Sequence, residues 1–115
     1  MADNIILEVR SHLSDIKAGT GAWHELVSKG VHFSTPHNVR KLLYGRLVDN
    51  VKFLADFAHY FEHENSHSIR SAVSPLGKNV LGLRDLFLHD ESKRDEILRI
   101  LEDMKRNIAE LEKLI

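Results

Sequence analysis

Apolar side chains recur at intervals of three and four residues along most of this 115-residue chain, and this spacing limits the folds open to it. An α-helix turns once every 3.6 residues, so such side chains form one apolar stripe that must be buried against other helices. A clear example is the C-terminal series Ile97, Leu101, Met104, Ile108, Leu111 and Ile115. No segment alternates apolar and polar residues as a strand does. We therefore predict an all-α fold, a four- to five-helix up-and-down bundle that occupies residues 1–115 as one domain.

Local signals place the helix boundaries in the N-terminal half. The polar pair at residues 3–4 can cap a first helix, and the glycine-rich turn at residues 19–21 is expected to end it. Residues 22–30 then predict one short helix. Its last residue is a glycine, which can end the helix by adopting a left-handed conformation. Thr35 and Pro36 favour the start of a long helix, because the hydroxyl can cap and proline suits the first helical position.

Proline and glycine leave two possibilities open in the C-terminal half. The segment 66–88 carries an apolar series at helical spacing, but Pro75 makes it either one kinked helix or a turn followed by a helix. Gly77 and Gly82 are weak helix formers or mark the close approach of a neighbouring helix. The last helix is expected to begin near Ser92.

The long helix that follows Pro36 has more apolar surface than one helix face needs. Besides its main stripe, Phe53, Phe57 and Tyr60 form a second stripe, which we predict to be an interaction face. A bundle could also bury this stripe within one subunit. The favoured interpretation is a regulatory protein-interaction module of the adaptor, antitoxin, immunity or inhibitor type, which binds a protein partner or itself as a homodimer.

Composition limits the alternatives. Sixteen basic residues against seventeen acidic ones give no overall field that would attract nucleic acid or an anionic membrane. The chain contains no cysteine, which excludes disulfides and thiolate chemistry and fits a reducing compartment. No apolar run is long enough to span a membrane, and the first residues do not read as a signal peptide. We expect a cytoplasmic protein that binds no membrane and needs no cofactor.

Eight histidines raise the question of a metal site. His59 and His63 lie four residues apart, the spacing that brings two imidazoles to one metal on a helix. No glutamate follows His59 directly, as it would in an H-E-x-x-H motif, and both histidines fall on the polar arc of their helix. A solvated helix face with incidental histidines is the favoured interpretation, and we predict no metal site.

One short string resembles a known family. Leu83-Arg84-Asp85-Leu86-Phe87-Leu88-His89 is similar to the R-x(4)-H motif of HEPN domains, which are small all-helical dimers and in many cases ribonucleases of toxin-antitoxin and phage-defence systems. A polar residue commonly follows the arginine in that family, as Asp85 does here, and one more helix follows the motif. A tyrosine that some members carry two residues after the histidine is replaced by Glu91.

The resemblance implies a second function, metal-independent cleavage of RNA. His89 would act as general acid or base, Arg84 would stabilise charge on the phosphorane, and Asp85 would orient one of them. Since five residues turn a helix by about 140°, the family pairs its motif across a dimer, which would place the region from Leu83 to Phe87 at a subunit interface. Alternatively, Arg84 and His89 are surface cations that complement the dipole at a helix end. Whether the chain is an enzyme stays open.

Overall fold

A computed structural model of the chain describes residues 2–59 and 66–115. The helices in chain order are α1 (Ala2–Ser28), α2 (Val31–Ser34), α3 (His37–His59), α4 (Ser66–Leu86) and α5 (Arg94–Glu112), and a 3-10 turn over Glu91–Lys93 precedes α5. The described residues contain no strand, so the predicted all-α bundle is confirmed. Within these two ranges no helix is both long enough and apolar enough to span a bilayer.

The four long helices form the corners of one bundle. α1 and α4 each pack against both α3 and α5. Side-chain contacts show that α1 and α5 are antiparallel: Lys17 meets Glu112 at 3.2 Å, and His24, further along α1, meets Glu102 at 3.4 Å, further back along α5. Five of the six residues in the predicted C-terminal stripe are buried in the core, and Ile115 is partly buried.

The predicted break at residues 19–21 is wrong, and so is the short helix predicted over residues 22–30. α1 continues to Ser28, because Ile16, Thr20 and Trp23 all lie on the stripe that faces the core. A glycine inside a helix costs only about 1 kcal/mol, less than the burial of these side chains returns. Thr20 is the exception on that stripe, since its buried hydroxyl has no hydrogen-bond partner among the described residues.

The short helix lies after Gly30 instead of before it. Gly30 adopts φ 79°, the left-handed conformation expected at this position, and α2 follows at once. The boundary at Thr35 and Pro36 is confirmed, because the Pro36 carbonyl accepts the first hydrogen bonds of α3. The Thr35 hydroxyl does not cap α3, however, but donates to the Val31 carbonyl at 2.9 Å.

The open question about residues 66–88 is answered by a single helix. Pro75 lies inside α4, where Val73, Leu76 and Val80 on either side of it are buried. That burial holds the helix together across the hydrogen bond that proline cannot make. Gly82 does mark close helix packing, since a Cβ there would lie 3.3 Å from Ile100 on α5.

Polar side chains also join α4 to α5, a feature that the apolar pattern does not indicate. The buried amide of Asn79 donates to Asp103 at 2.8 Å and accepts from Asn107 at 2.8 Å. The hydrogen bond from Asn79, followed by that from Arg106, holds the pKa of Asp103 below its usual value. Because an unpaired buried amide is costly, these bonds favour one register between the two helices.

The turn before α5 corrects one further boundary. Asp90, not Ser92, is the capping residue, because its carboxylate accepts the Ser92 backbone N–H at 3.0 Å. α5 itself begins at Arg94 after the 3-10 turn. A short acidic side chain is a preferred cap and also complements the positive end of the helix dipole.

A continuous α1 makes a testable prediction about its two internal glycines. Gly19→Ala and Gly21→Ala should each raise the free energy of unfolding by about 0.5 to 1 kcal/mol, because alanine is the better helix former. An added Cβ would meet no atom within 4 Å at either position. Urea unfolding measures the change.

Gly30→Ala is the matched control for this prediction. Its positive φ, together with the Arg94 side chain 3.2 Å from an added Cβ, should turn the same substitution into a loss of about 1 kcal/mol or more. If Gly19→Ala or Gly21→Ala were destabilising, a break in α1 near these residues would be indicated instead.

Candidate functional site

A groove of about 650 Å³ lies between α3 and α4. Its lining includes Val48 and Val51 from α3 and Val73 from α4. These small β-branched side chains do not fill the space between the two helices at the surface. Lys52 and Lys78 lie at its edges, one from each helix, and Arg70 also lines it. None of the lining residues within the described ranges is a carboxylate. The groove is therefore apolar with a basic border.

A second groove, of about 470 Å³, lies on the other side of α3, between α3 and α1. It exists because the α1 side chains that face it, such as Ala18 and Ala22, are too small to fill the space. Its charged lining residues differ from those of the first groove, since Asp15 and Asp49 accompany a single cation, Arg46. The two sides of α3 thus offer apolar grooves of different charge.

The predicted interaction face is only partly free. The Phe53 ring stacks on the His12 ring of α1 with centroids 4.5 Å apart and planes 15° apart, and Phe57 lies 6.1 Å from the same ring. His12 is held in place by Asn50, whose Oδ1 lies 3.0 Å from Nδ1 of the imidazole. Phe53 nevertheless keeps 49% of its surface exposed. Tyr60, the third predicted member of this face, lies outside the described residues.

The residues that carry the HEPN resemblance lie at the C-terminal end of α4. Arg84 and Asp85 are in the last turn, exposed, with Nε and Oδ1 3.5 Å apart, and His89 is exposed in the bend that follows. Leu83 and Phe87 are buried inside the chain. The structure therefore brings Arg84 and Asp85 together, but it uses the neighbouring apolar residues for the bundle core and not for a subunit interface.

The candidate metal pair lies at and beyond the end of α3. His59 is the last residue of α3, and His63 lies outside the described residues. In the described ranges no group of three or more histidine and acidic side chains is close enough to hold a metal ion.

Sequence reasoning missed a polar cluster at one end of the bundle. His32, in α2, is 1% exposed, and its Nδ1 accepts a hydrogen bond from Trp23 Nε1 at 3.2 Å. Indole can only donate, so the remaining N–H of a neutral imidazole is on Nε2, which donates to the Phe87 carbonyl at 3.0 Å. This histidine thereby links α1 to the end of α4. Burial, assisted by the charge of Arg40, lowers the pKa of His32.

Two arginines complete this end of the molecule by donating to backbone carbonyls. Arg40 is buried and donates to Thr35, Phe33 and His89, at 2.8, 2.9 and 3.2 Å. Arg94 donates to the carbonyls of Val27 and Ser28 at the end of α1, at 3.0 and 2.7 Å. Helix ends leave carbonyls without partners, so these guanidinium groups act as C-terminal caps. Sequence spacing does not reveal the bonds to His89, Val27 and Ser28, because those partners are distant in sequence.

The burial of His32 predicts an acid-sensitive fold, because desolvation lowers its pKa more than the hydrogen bond to the Phe87 carbonyl raises it. Because its pKa is lowered in the folded state, the unfolded chain binds a proton that the folded chain excludes. The contribution of His32 to stability should therefore be constant above the unfolded pKa of about 6.5 and fall as the pH drops below it, by at most about 1.4 kcal/mol per pH unit. Urea unfolding between pH 7.5 and 5.5, followed by the fluorescence of the single tryptophan, measures the slope.

His32→Gln is the comparison for this prediction. Glutamine can offer one acceptor and one donor but does not titrate. The slope of stability against pH should therefore correspond to about one proton fewer taken up on unfolding than in the wild type, whatever the stability of the variant at pH 7.5. The other histidines are common to both proteins. Equal slopes for the two would show that His32 does not exclude the proton.

Comparison of the chain with protein-family models, with curated proteins and with solved structures finds no match.

Proposed function

We propose that this protein is a helical protein-interaction module that binds an acidic amphipathic helix in the groove between α3 and α4. The observation that carries the proposal is the combination of apolar floor and basic border in that groove. An amphipathic helix places apolar side chains at every third or fourth position into such a groove, and acidic residues beside that stripe would meet the lysines.

The exposed side chains around the groove support this choice of partner. Lys52 and Lys78 have no hydrogen-bond or ion-pair partner within the described part of the chain, so both ammonium groups are available to a ligand. Leu81 lines the groove and keeps 62% of its surface exposed, so it adds apolar surface that a ligand can cover. A partner helix would cover Leu81 and bring carboxylates to both borders.

The biological role within this proposal is regulatory. An adaptor, an antitoxin, an immunity protein or an inhibitor would each use such a groove to bind one partner, and the module acts as a homodimer. The cytoplasmic location expected from the cysteine-free sequence belongs to the same proposal.

Binding of a designed probe tests the groove. The probe is a fluorescent helical peptide of roughly 20 residues with leucine on one stripe and glutamate elsewhere. Anisotropy should show binding that weakens with salt, and Lys52→Glu/Lys78→Glu should raise the Kd at least about tenfold, because it replaces attraction by repulsion.

Two controls separate the groove from general electrostatics. Arg99→Glu/Lys105→Glu on α5 changes the net charge by the same amount at exposed positions outside the groove, and it should leave binding nearly unchanged. A probe with lysine in place of glutamate should not bind. Equal weakening by both double variants would mean that the groove is not the site.

A second candidate function is metal-independent endoribonuclease activity of the HEPN type. Its support is that Arg84, Asp85 and His89 are all exposed at one end of α4, with the arginine and the aspartate in contact. These are groups that could stabilise a phosphorane and transfer a proton near neutral pH.

Cleavage of single-stranded RNA in the presence of EDTA tests this candidate. His89→Ala should reduce the rate by about a hundredfold or more, the usual effect of losing a general acid or base. His24→Ala, at a histidine that pairs with Glu102 between α1 and α5, should cleave as the wild type does. Cleavage that persists in His89→Ala would rule out the proposed role of His89.

A further inference from the structure

A line of exposed residues runs along α3 next to the groove that this helix forms with α1. Its members are Val39, Leu42, Arg46, Asp49 and Phe53, and the spacing is alternately three and four residues. Leu42 is 59% exposed, Phe53 49% and Val39 40%, so apolar groups lie towards both ends and opposite charges lie in the middle. These five residues are called the α3 stripe below. The stripe is about 21 Å long.

We propose that a second copy of this chain packs against the α3 stripe, antiparallel, about a two-fold axis that passes between Leu47 and Val48. In this register Leu42 of each subunit meets Phe53 of the other, and Arg46 of each meets Asp49 of the other. An isologous interface repeats every contact, so one register forms two apolar contacts and two ion pairs. The proposal rests on the self-association included in the proposed function, and it names the face and the register.

Charge is the reason for choosing a second copy over another partner. Arg46 and Asp49 have no hydrogen-bond or ion-pair partner among the residues that the structure describes, although each is exposed one turn from the other. Asp15 of α1 lines the same groove and also lacks a partner in the described ranges. In the proposed register the guanidinium of one subunit faces Asp49 of the other, with Asp15 in the same groove, so the face is complementary to itself.

Shape agrees with this assignment. Ala18 and Ala22 leave a groove of about 470 Å³ beside the stripe, which gives side chains of the second copy a place to enter. A contact of about 21 Å along one helix is at the small end of protein interfaces, so we expect a reversible dimer. The groove between α3 and α4 lies on the other side of α3, and the dimer therefore presents two copies of it.

The same register bears on the ribonuclease candidate. His89 lies near the N-terminal end of α3, since its carbonyl accepts from Arg40. Arg40 is about 11 Å along α3 from the proposed axis, so the two copies lie about 22 Å apart along the helix. A dimer through the α3 stripe therefore does not bring the two R-x(4)-H strings together.

Charge exchange tests the register. Sedimentation equilibrium at low salt should show a concentration-dependent dimer for the wild type. Arg46→Asp and Asp49→Arg should each weaken it at least about tenfold, because like charges then face each other twice. The double variant Arg46→Asp/Asp49→Arg should dimerise again, since it restores both ion pairs with their direction reversed.

Mixing the two single variants makes the sharpest comparison. Each dimerises only weakly on its own, but together they should form a 1:1 heterodimer, in which two aspartates of one chain face two arginines of the other. Lys105→Glu, an exposed charge reversal on α5, is the control and should dimerise like the wild type. Circular dichroism checks that every variant is folded.

A covalent probe fixes the register independently of charge. The chain has no cysteine, so Leu42→Cys mixed with Phe53→Cys should give a mixed disulfide under mild oxidation, in preference to either homodimeric disulfide. A wild type that stays monomeric at every concentration, single variants that dimerise normally, or a mixture that does not associate would each overturn the proposal. None of these measurements involves the groove between α3 and α4, so failure here leaves the peptide-binding test unaffected.

Discussion

The imidazole of His32 is the interaction on which one end of this bundle depends. It accepts from Trp23 on α1 and donates to the Phe87 carbonyl beyond the end of α4, so two helices that do not follow each other in the chain share one buried ring. The Trp23 and Phe87 rings also meet edge to face, with centroids 3.8 Å apart. A charged imidazole could not accept from the indole, which is why the arrangement requires a neutral histidine.

At the same end of the bundle, two arginine side chains from other helices bind the backbone carbonyls near helix ends, a role that local capping residues often have. Arg40 and Arg94 donate to carbonyls at and beyond the ends of helices, and each joins segments distant in sequence. Arg40 also places a positive charge near His32, which adds to the effect of burial in keeping the ring neutral. α2 is thus held to α1 through His32 and to α3 through Arg40.

α3 is the helix around which the proposed binding surfaces are arranged. Its buried side contributes Leu47, Val51 and Leu54 to the core, while its two flanks border grooves of different charge. The basic flank fits an acidic partner, and the flank with both charges fits a second copy. One helix can border both grooves because residues three or four positions apart lie on the same flank. Two interleaved sets of residues therefore form two separate surfaces.

The sequence by itself determined the all-α class, the buried stripes of α4 and α5 and the boundary at Pro36, because helical periodicity and proline geometry are local properties. It did not determine that α1 continues through Gly19 and Gly21 or that α4 continues through Pro75. Both depend on burial against other helices, which outweighs a local preference of a few kcal/mol. It also did not place Asp90 as the cap of the 3-10 turn before α5, because the hydrogen bond from the Ser92 N–H that identifies this cap is a contact of the folded chain.

For the candidate sites the division is similar. The second stripe of α3 and the Arg84 string were visible as patterns, but only the tertiary structure showed that Phe53 stacks on His12 and that Phe87 belongs to the core. The grooves, the linked pair of Trp23 and His32 and the caps from Arg40 and Arg94 join residues far apart in the chain. Such contacts are decided by how the helices pack, and no local pattern in the sequence encodes them.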